Sequence, residues 1–196
     1  MNIKPTIYEV LPKNLYHVTT TDKLAKIKED KLLKAMPDTL TDGMVKGVFM
    51  FDLDNFVHQW TKDKRMNLAR LILDYIARGK EMVMLRIPVQ KLPQEVAENI
   101  KTRDVNKAID WKFSGSQYRG KSPDEVIGYK YTETRPEVLA NNAVEHIVPA
   151  DIKAEEIECL GTSTYGSRRS LADILTGFFK DQPEEKVIKD NIDTLI

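Results

Sequence analysis

The sequence predicts an α+β fold. Strand-like runs and helical stretches alternate only briefly; the chain then turns mainly to strands and ends in helices, unlike the steady alternation of a doubly wound sheet. With 196 residues, 41% of them apolar, the chain can bury one substantial core. No internal repeat, low-complexity stretch or long flexible linker divides it.

In chain order, Leu15 to Thr19 is a β-favouring run after Pro12 and Asn14 and reads as a strand. Thr21 or Asp22 caps a helix whose apolar side is Leu24, Ile27, Leu32 and Leu33. Met36 to Lys46, with Pro37 and Gly43, reads as a loop. Gly47 to Phe51 is a compact apolar run, hence a buried strand. Asp52 or Asp54 caps a helix expected to reach Arg78 with one break, and Gly79 stops it. Glu81 to Pro88 is a strand, and Leu92 to Asp110 is mixed, with a short helix at Glu95 to Ile100. Lys112 to Pro123 is the most loop-like stretch. Glu125 to Thr132, Val144 to Val148 and Ile157 to Gly161 read as strands, the last two separated by a turn at Pro149. Ser170 to Asp173 resembles a capping box before Ile174 to Lys180, and a final helix is expected from Pro183 to Ile196.

Charge and composition narrow the function. Thirty basic residues balance thirty acidic ones, so a general polyanion binder is not expected. One cysteine excludes an internal disulfide and a Cys-rich zinc site, and three histidines leave little for any metal centre, so no metal is expected. No apolar run approaches the roughly 20 residues that span a bilayer, and Met1 to Lys13 lacks the apolar core of a signal peptide. The expectation is a cytoplasmic protein with no membrane partner.

Standard catalytic motifs are missing: there is no P-loop, GxGxxG, HExxH, GxSxG or CxxC. Cys159 lies in an apolar strand pattern and reads as a buried structural thiol. Two polar residues in strand settings stand out. His17 sits within Leu15-Tyr16-His17-Val18-Thr19, where burying an imidazole costs free energy unless it is hydrogen-bonded. Glu145 sits within Ala143-Val144-Glu145-His146-Ile147-Val148, and alternation puts it on the face of Ala143 and Ile147, opposite His146. Taken alone, each also fits a satisfied core or exposed edge residue. His58 and His146 receive no role.

As an ordered set these segments resemble a known family. Leu15-Tyr16-His17-Val18-Thr19, the helix with its LxxI pattern, Leu32-Leu33, Gly47-Val48-Phe49-Met50-Phe51, and the later Val144-Glu145-His146-Ile147-Val148 with Glu156-Ile157-Glu158-Cys159-Leu160 resemble the diphtheria-toxin-like and poly-ADP-ribose-polymerase-like ADP-ribosyltransferases. The resemblance covers most of residues 14 to 161. It implies a split β-sheet core in a catalytic domain over 1–161, with 162–196 as a C-terminal helical segment packed on it. It implies NAD as co-substrate, with nicotinamide released and ADP-ribose transferred to a macromolecule, in the manner of a toxin or effector.

Carried over by position, His17 would bind the nicotinamide ribose, the backbone of Val18 would grip the carboxamide, and Thr19 is the hydroxyl that follows. Phe49 is the strand aromatic, Trp60 the residue at the stacking position, with Phe56 one turn earlier, and Glu145 the catalytic glutamate. The chain departs from the family pattern at Val18, where a glycine is usual, and at Trp60, where a tyrosine is usual. Ala143 stands where arginine-specific members carry a second Glu or Gln, which turns the reading away from arginine acceptors by that route; Glu133 and Glu137 precede the strand. Phe113, Tyr118, Arg119 and Lys121 form a basic-aromatic loop suited to a phosphate backbone and a stacked base, which favours a nucleic-acid acceptor over a protein one. An antitoxin or immunity protein is a candidate partner. Two other readings stay open: RNA 2′-phosphotransfer to NAD on the same fold, against which Glu145 counts, and an inactive domain that binds NAD or ADP-ribose.

Overall fold

The computed structural model describes residues 6–38, 43–62, 79–108, 128–134, 136–142, 144–163 and 171–191. Helix α1 (Ile7–Val10) leads into β1 (Asn14–Thr20) and α2 (Thr21–Asp30). Lys31 takes a left-handed conformation (φ 57°) that ends α2. The chain therefore turns before Leu32, and Leu32–Leu33 forms β2 instead of extending the helix face. Within the expected 36–46 loop, Met36–Pro37 forms β3, paired with β4 (Lys46–Met50). Helix α3 (Leu53–Lys62) starts at Asp52, whose carboxylate accepts the Asp54 N–H. The expected continuation to Arg78 lies outside the described residues; Gly79 itself takes a positive φ of 63°.

After β5 (Met82–Pro88) come α4 (Gln94–Ala97) and β6 (Lys101–Asp104), a strand the sequence did not announce. The expected strand at 125–132 is described only as β7 (Tyr129–Lys130), followed by a 3-10 turn at Tyr131–Glu133. Then follow α5 (Pro136–Asn141), β8 (Val144–Val148), β9 (Ile152–Lys153), β10 (Glu158–Ser163), α6 (Leu171–Phe178) and α7 (Glu185–Asp190).

All the described strand pairs are antiparallel. They form a three-stranded sheet β1-β5-β10, a five-stranded sheet β3-β4-β8-β6-β7 and a small pair β2-β9. The expected neighbours β8 and β10 are not paired with each other; they belong to different sheets. Asp151 accepts the Ala35 N–H at 2.8 Å and draws the connection toward β2, so the chain leaves one sheet for the other instead of turning back as a hairpin.

Alternation along β1 and β5 splits the core in two. Tyr16, Val18, Met82 and Met84 meet Phe51 and Phe56 together with Phe178 and Phe179 from the C-terminal segment. Leu15, Val83, Leu85 and Ile87 face Ile27, Val48, Met50 and Val148. The β1-β5 layer is covered on both faces, which is why β5 reads as a near-continuous apolar run. The C-terminal segment is held by polar contacts as well: Glu184 accepts from the Tyr16 hydroxyl and from Arg86, each at 2.7 Å. Cys159 is exposed, contrary to expectation, because β10 is an edge strand whose register shifts between Cys159 and Gly161.

Candidate functional site

The two sheets touch through β1 and β4. Tyr16 and Phe51 exchange both backbone hydrogen bonds, at 2.9 and 3.0 Å. In an antiparallel pair, residues two apart turn their backbone groups to the same side. Val18 and Phe49 would therefore pair next if the ladder continued. It does not. The His17 ring enters instead, and its Nδ1 lies 2.8 Å from the Phe49 carbonyl oxygen. A carbonyl only accepts, so Nδ1 carries the proton. Among the described residues the Val18 N–H and C=O therefore have no ladder partner on β4, since His17, not Val18, takes the backbone orientation that faces β5.

His17 is half-buried, and loss of water lowers its pKa; the Phe49 carbonyl works against that shift and Lys23 adds to it. The ring is therefore neutral near pH 7, with Nε2 an acceptor. His17 and Thr19 line a cavity of about 450 Å³ with Phe49, Val48, Ile27 and Leu33. Lys23, Lys26 and Lys34 bring positive charge to the same cavity, the last paired with Asp30. The Val18 side chain packs in the opposite core; the residue as a whole is 4% exposed and is not among those that line the cavity.

Glu145 lies on β8, an inner strand between β4 and β6, so the exposed-edge alternative fails. Arg103 of β6 is its register partner and donates Nε and Nη2 to its Oε2, at 2.9 and 2.8 Å. Nη1 of Arg103 bonds Asp38, and the guanidinium lies 4.9 Å from the Phe49 ring centroid. Glu145 is not among the residues that line the cavity beside His17; the two are joined through Phe49, whose carbonyl holds His17 and whose ring carries Arg103. Burial raises the Glu145 pKa, Arg103 pulls it back, and Asp38 adds a smaller upward push.

The remaining sequence candidates divide plainly. Phe56 is fully buried against Phe51 in the core, so it is no stacking residue. Trp60 falls on α3, and its side chain lies outside the described residues, as do Phe113, Tyr118, Arg119 and Lys121. His146 is buried, stacked on Tyr131 at 5.8 Å between ring centroids. Arg103 and Asp38 were missed. The run Lys101-Thr102-Arg103-Asp104 has no apolar residue to mark a strand, and its alignment opposite Glu145 is a matter of long-range register.

The cavity offers the acceptor nitrogen of His17 and the Phe49 side chain, while the Glu145 carboxylate lies outside its lining and connects to it through Arg103 and Phe49. Among the described residues no cluster of three or more His, Cys, Asp or Glu is placed to hold a metal ion, and no helix is long and apolar enough to cross a membrane. Compared with known proteins, the chain matches no family model, no curated protein and no solved structure.

Proposed function

We propose that the chain is an NAD-dependent mono-ADP-ribosyltransferase of toxin or effector type. The observation that carries the reading is the gap between β1 and β4, where His17 replaces the Val18–Phe49 backbone pair. The Val18 edge offers an N–H and a C=O to the two halves of a carboxamide, and His17 Nε2 offers an acceptor to a ribose hydroxyl. In the reaction the bond between C1′ and the nicotinamide nitrogen breaks, and the electron pair leaves with nicotinamide. The positive charge left on the ribose is met by the Glu145 carboxylate, and an acceptor nucleophile then bonds C1′ and gives up its proton. A fixed charge aimed at a developing one is worth about 3–4 kcal/mol, or roughly a few hundredfold in rate. The preferred acceptor is nucleic acid, from the basic-aromatic loop; a protein acceptor is the variant of this reading.

The test is nicotinamide release from NAD by wild type and Glu145→Gln, with DNA, RNA or cell protein added in turn. Wild-type release that falls a few hundredfold in Glu145→Gln supports the transferase, and the additive that stimulates it names the acceptor class. His17→Ala should raise KM and lower kcat together. Equal turnover in Glu145→Gln would sink the assignment. The Arg103 pairing favours one second reading, a domain that binds NAD or ADP-ribose without turnover, because an ion-paired carboxylate has part of its charge already met. That reading expects NAD binding with no release under any condition.

A further inference from the structure

Glu145 is subject to opposing demands. Packing takes water from much of the carboxylate, although the side chain stays 24% exposed, and Asp38 adds a second negative charge through the shared guanidinium. Arg103 lies between them and is itself 4% exposed. Each part of its planar group has a contact. Nε and Nη2 grip one oxygen of Glu145, Nη1 meets Asp38, and the flat face lies over Phe49. A lysine cannot reproduce that set, since it has neither the fork nor the face. Both bonds to Glu145 fall on Oε2; among the described residues Oε1 has no partner.

We propose that Arg103, anchored by Asp38, is a positioning residue for Glu145: it fixes Oε2 with a two-bond grip, leaves Oε1 to the substrate, and through the Phe49 ring ties the glutamate to the strand that holds His17. The inference rests on the transferase reading given above for its kinetic part. The charged groups that act on Glu145 are Arg103 from β6 and Asp38 from the segment after β3. From β4 the site receives Phe49, which carries no charge. On β8 itself, His146 points to the other face and is held neutral by burial. With Arg103 gone, Glu145 would keep the burial that raises its carboxyl and lose the group that pulls it back.

The experiment uses the full chain and two readouts. The first is the Glu145 carboxyl titration by carbon-13 NMR, assigned by comparison with Glu145→Gln. The second is kcat and KM for nicotinamide release against pH. In Arg103→Gln, Glu145 should titrate about one unit or more above wild type. The acid limb of kcat should move with it, and kcat near pH 7 should fall about tenfold while KM changes little. Arg103→Lys, the variant least apt to disturb folding, keeps the charge. It should return the titration close to wild type yet leave kcat about three- to tenfold low, because a point charge does not orient the carboxylate. Asp38→Asn removes the neighbouring negative charge, so Glu145 should titrate lower, and kcat should still fall as Arg103 loses its anchor. Wild-type kcat in Arg103→Lys, or an unmoved Glu145 titration in Arg103→Gln, would overturn the proposal. If wild type releases no nicotinamide, the transferase reading fails, and the titration alone decides whether Arg103 holds the carboxylate.

Discussion

Acid should reveal two groups that act against each other, buried His146 and half-buried Asp52. His146 is 2% exposed, stacked on Tyr131, with a buried Nδ1 that has no partner among the described residues. Loss of water lowers its pKa from 6.5 to about 4. The unfolded chain binds that proton first, so the stability His146 allows is complete above pH 6.5 and is lost as pH falls toward 4. Each unit is worth about 1.4 kcal/mol, so the window is worth about 3 kcal/mol, a large share of a typical 5–15 kcal/mol total. Asp52 has the opposite sign. Burial raises its pKa from 3.8 to about 6, Asp54 adding to the rise and the backbone bonds of the helix start opposing it. Its contribution is present below 3.8 and is lost as pH rises through 6, again by about 3 kcal/mol. In wild type the two nearly cancel between pH 7 and 4.5.

The variants separate them. His146→Phe keeps the ring stack and removes the titration, so its stability relative to wild type should rise as pH falls. Asp52→Asn keeps the helix cap and should become less stable relative to wild type over the same range. The assay is urea unfolding at about pH 7, 6 and 5, with both variants beside wild type. Glu158 and Glu184, whose carboxyls are held below the usual range, act equally in all three proteins and drop out of the comparison. Variants that track one another within about 1 kcal/mol across this range would refute the reasoning, because the two pKa shifts require slopes of opposite sign.

Two further substitutions test the frame around the site. Tyr16→Phe removes the hydroxyl that donates to Glu184 at 2.7 Å and should cost about 1–2 kcal/mol, read as a lower urea midpoint; an unchanged midpoint would mean the C-terminal segment is held without it. Gly47→Ala would set a methyl 2.5 Å from Ile147 Cγ2 and 2.8 Å from the Val148 carbonyl oxygen. Since a backbone atom cannot swing aside, β4 and β8 must part locally. Amide exchange along Val144–Val148 should quicken and stability should fall by about 1–3 kcal/mol, and wild-type exchange would count against the close approach.

Much of the framework was legible because burial writes itself into local pattern. Strands β1, β4, β5 and β8 lie against core on at least one face, and each appears in the sequence as an apolar run. The cap of α3 at Asp52 is equally local, whereas α2 begins one residue earlier than expected, after Thr20, with no side-chain cap bond. What the sequence hid was register. Nothing in Lys101 to Asp104 tells that Arg103 lies opposite Glu145, or that Asp38, from another part of the chain, meets the same guanidinium. Phe56 and Phe49 are both aromatics in apolar company, yet α3 turns Phe56 onto Phe51 in the core while β4 turns the Phe49 ring toward the Arg103 guanidinium, a difference set by tertiary packing and not by local composition. The Cys159 error has the same origin: an edge strand with a shifted register turns outward a side chain that simple alternation would bury.

The gap at Phe49 is a place where a side chain, not the backbone ladder, meets the strand edge, which is a physical reason to look for function there. The edge of β4 that faces β1 is used at Phe51 by Tyr16 and at residue 47 by Met36 of β3. Between them the backbone of Phe49 faces Val18 without closing the ladder. An open edge of this kind invites pairing with another chain and is usually blunted. Here one side chain does that work. An aliphatic residue at position 17 could not bond the Phe49 carbonyl, and the shortest way to satisfy it would then be the Val18 amide, which would zip β1 to β4 and erase the opening. The imidazole satisfies the carbonyl through Nδ1 and keeps a second polar atom, Nε2, so the group that prevents closure can also serve a ligand. The same histidine thus connects the architecture of two sheets meeting at one bridge with the chemistry proposed for the space between them.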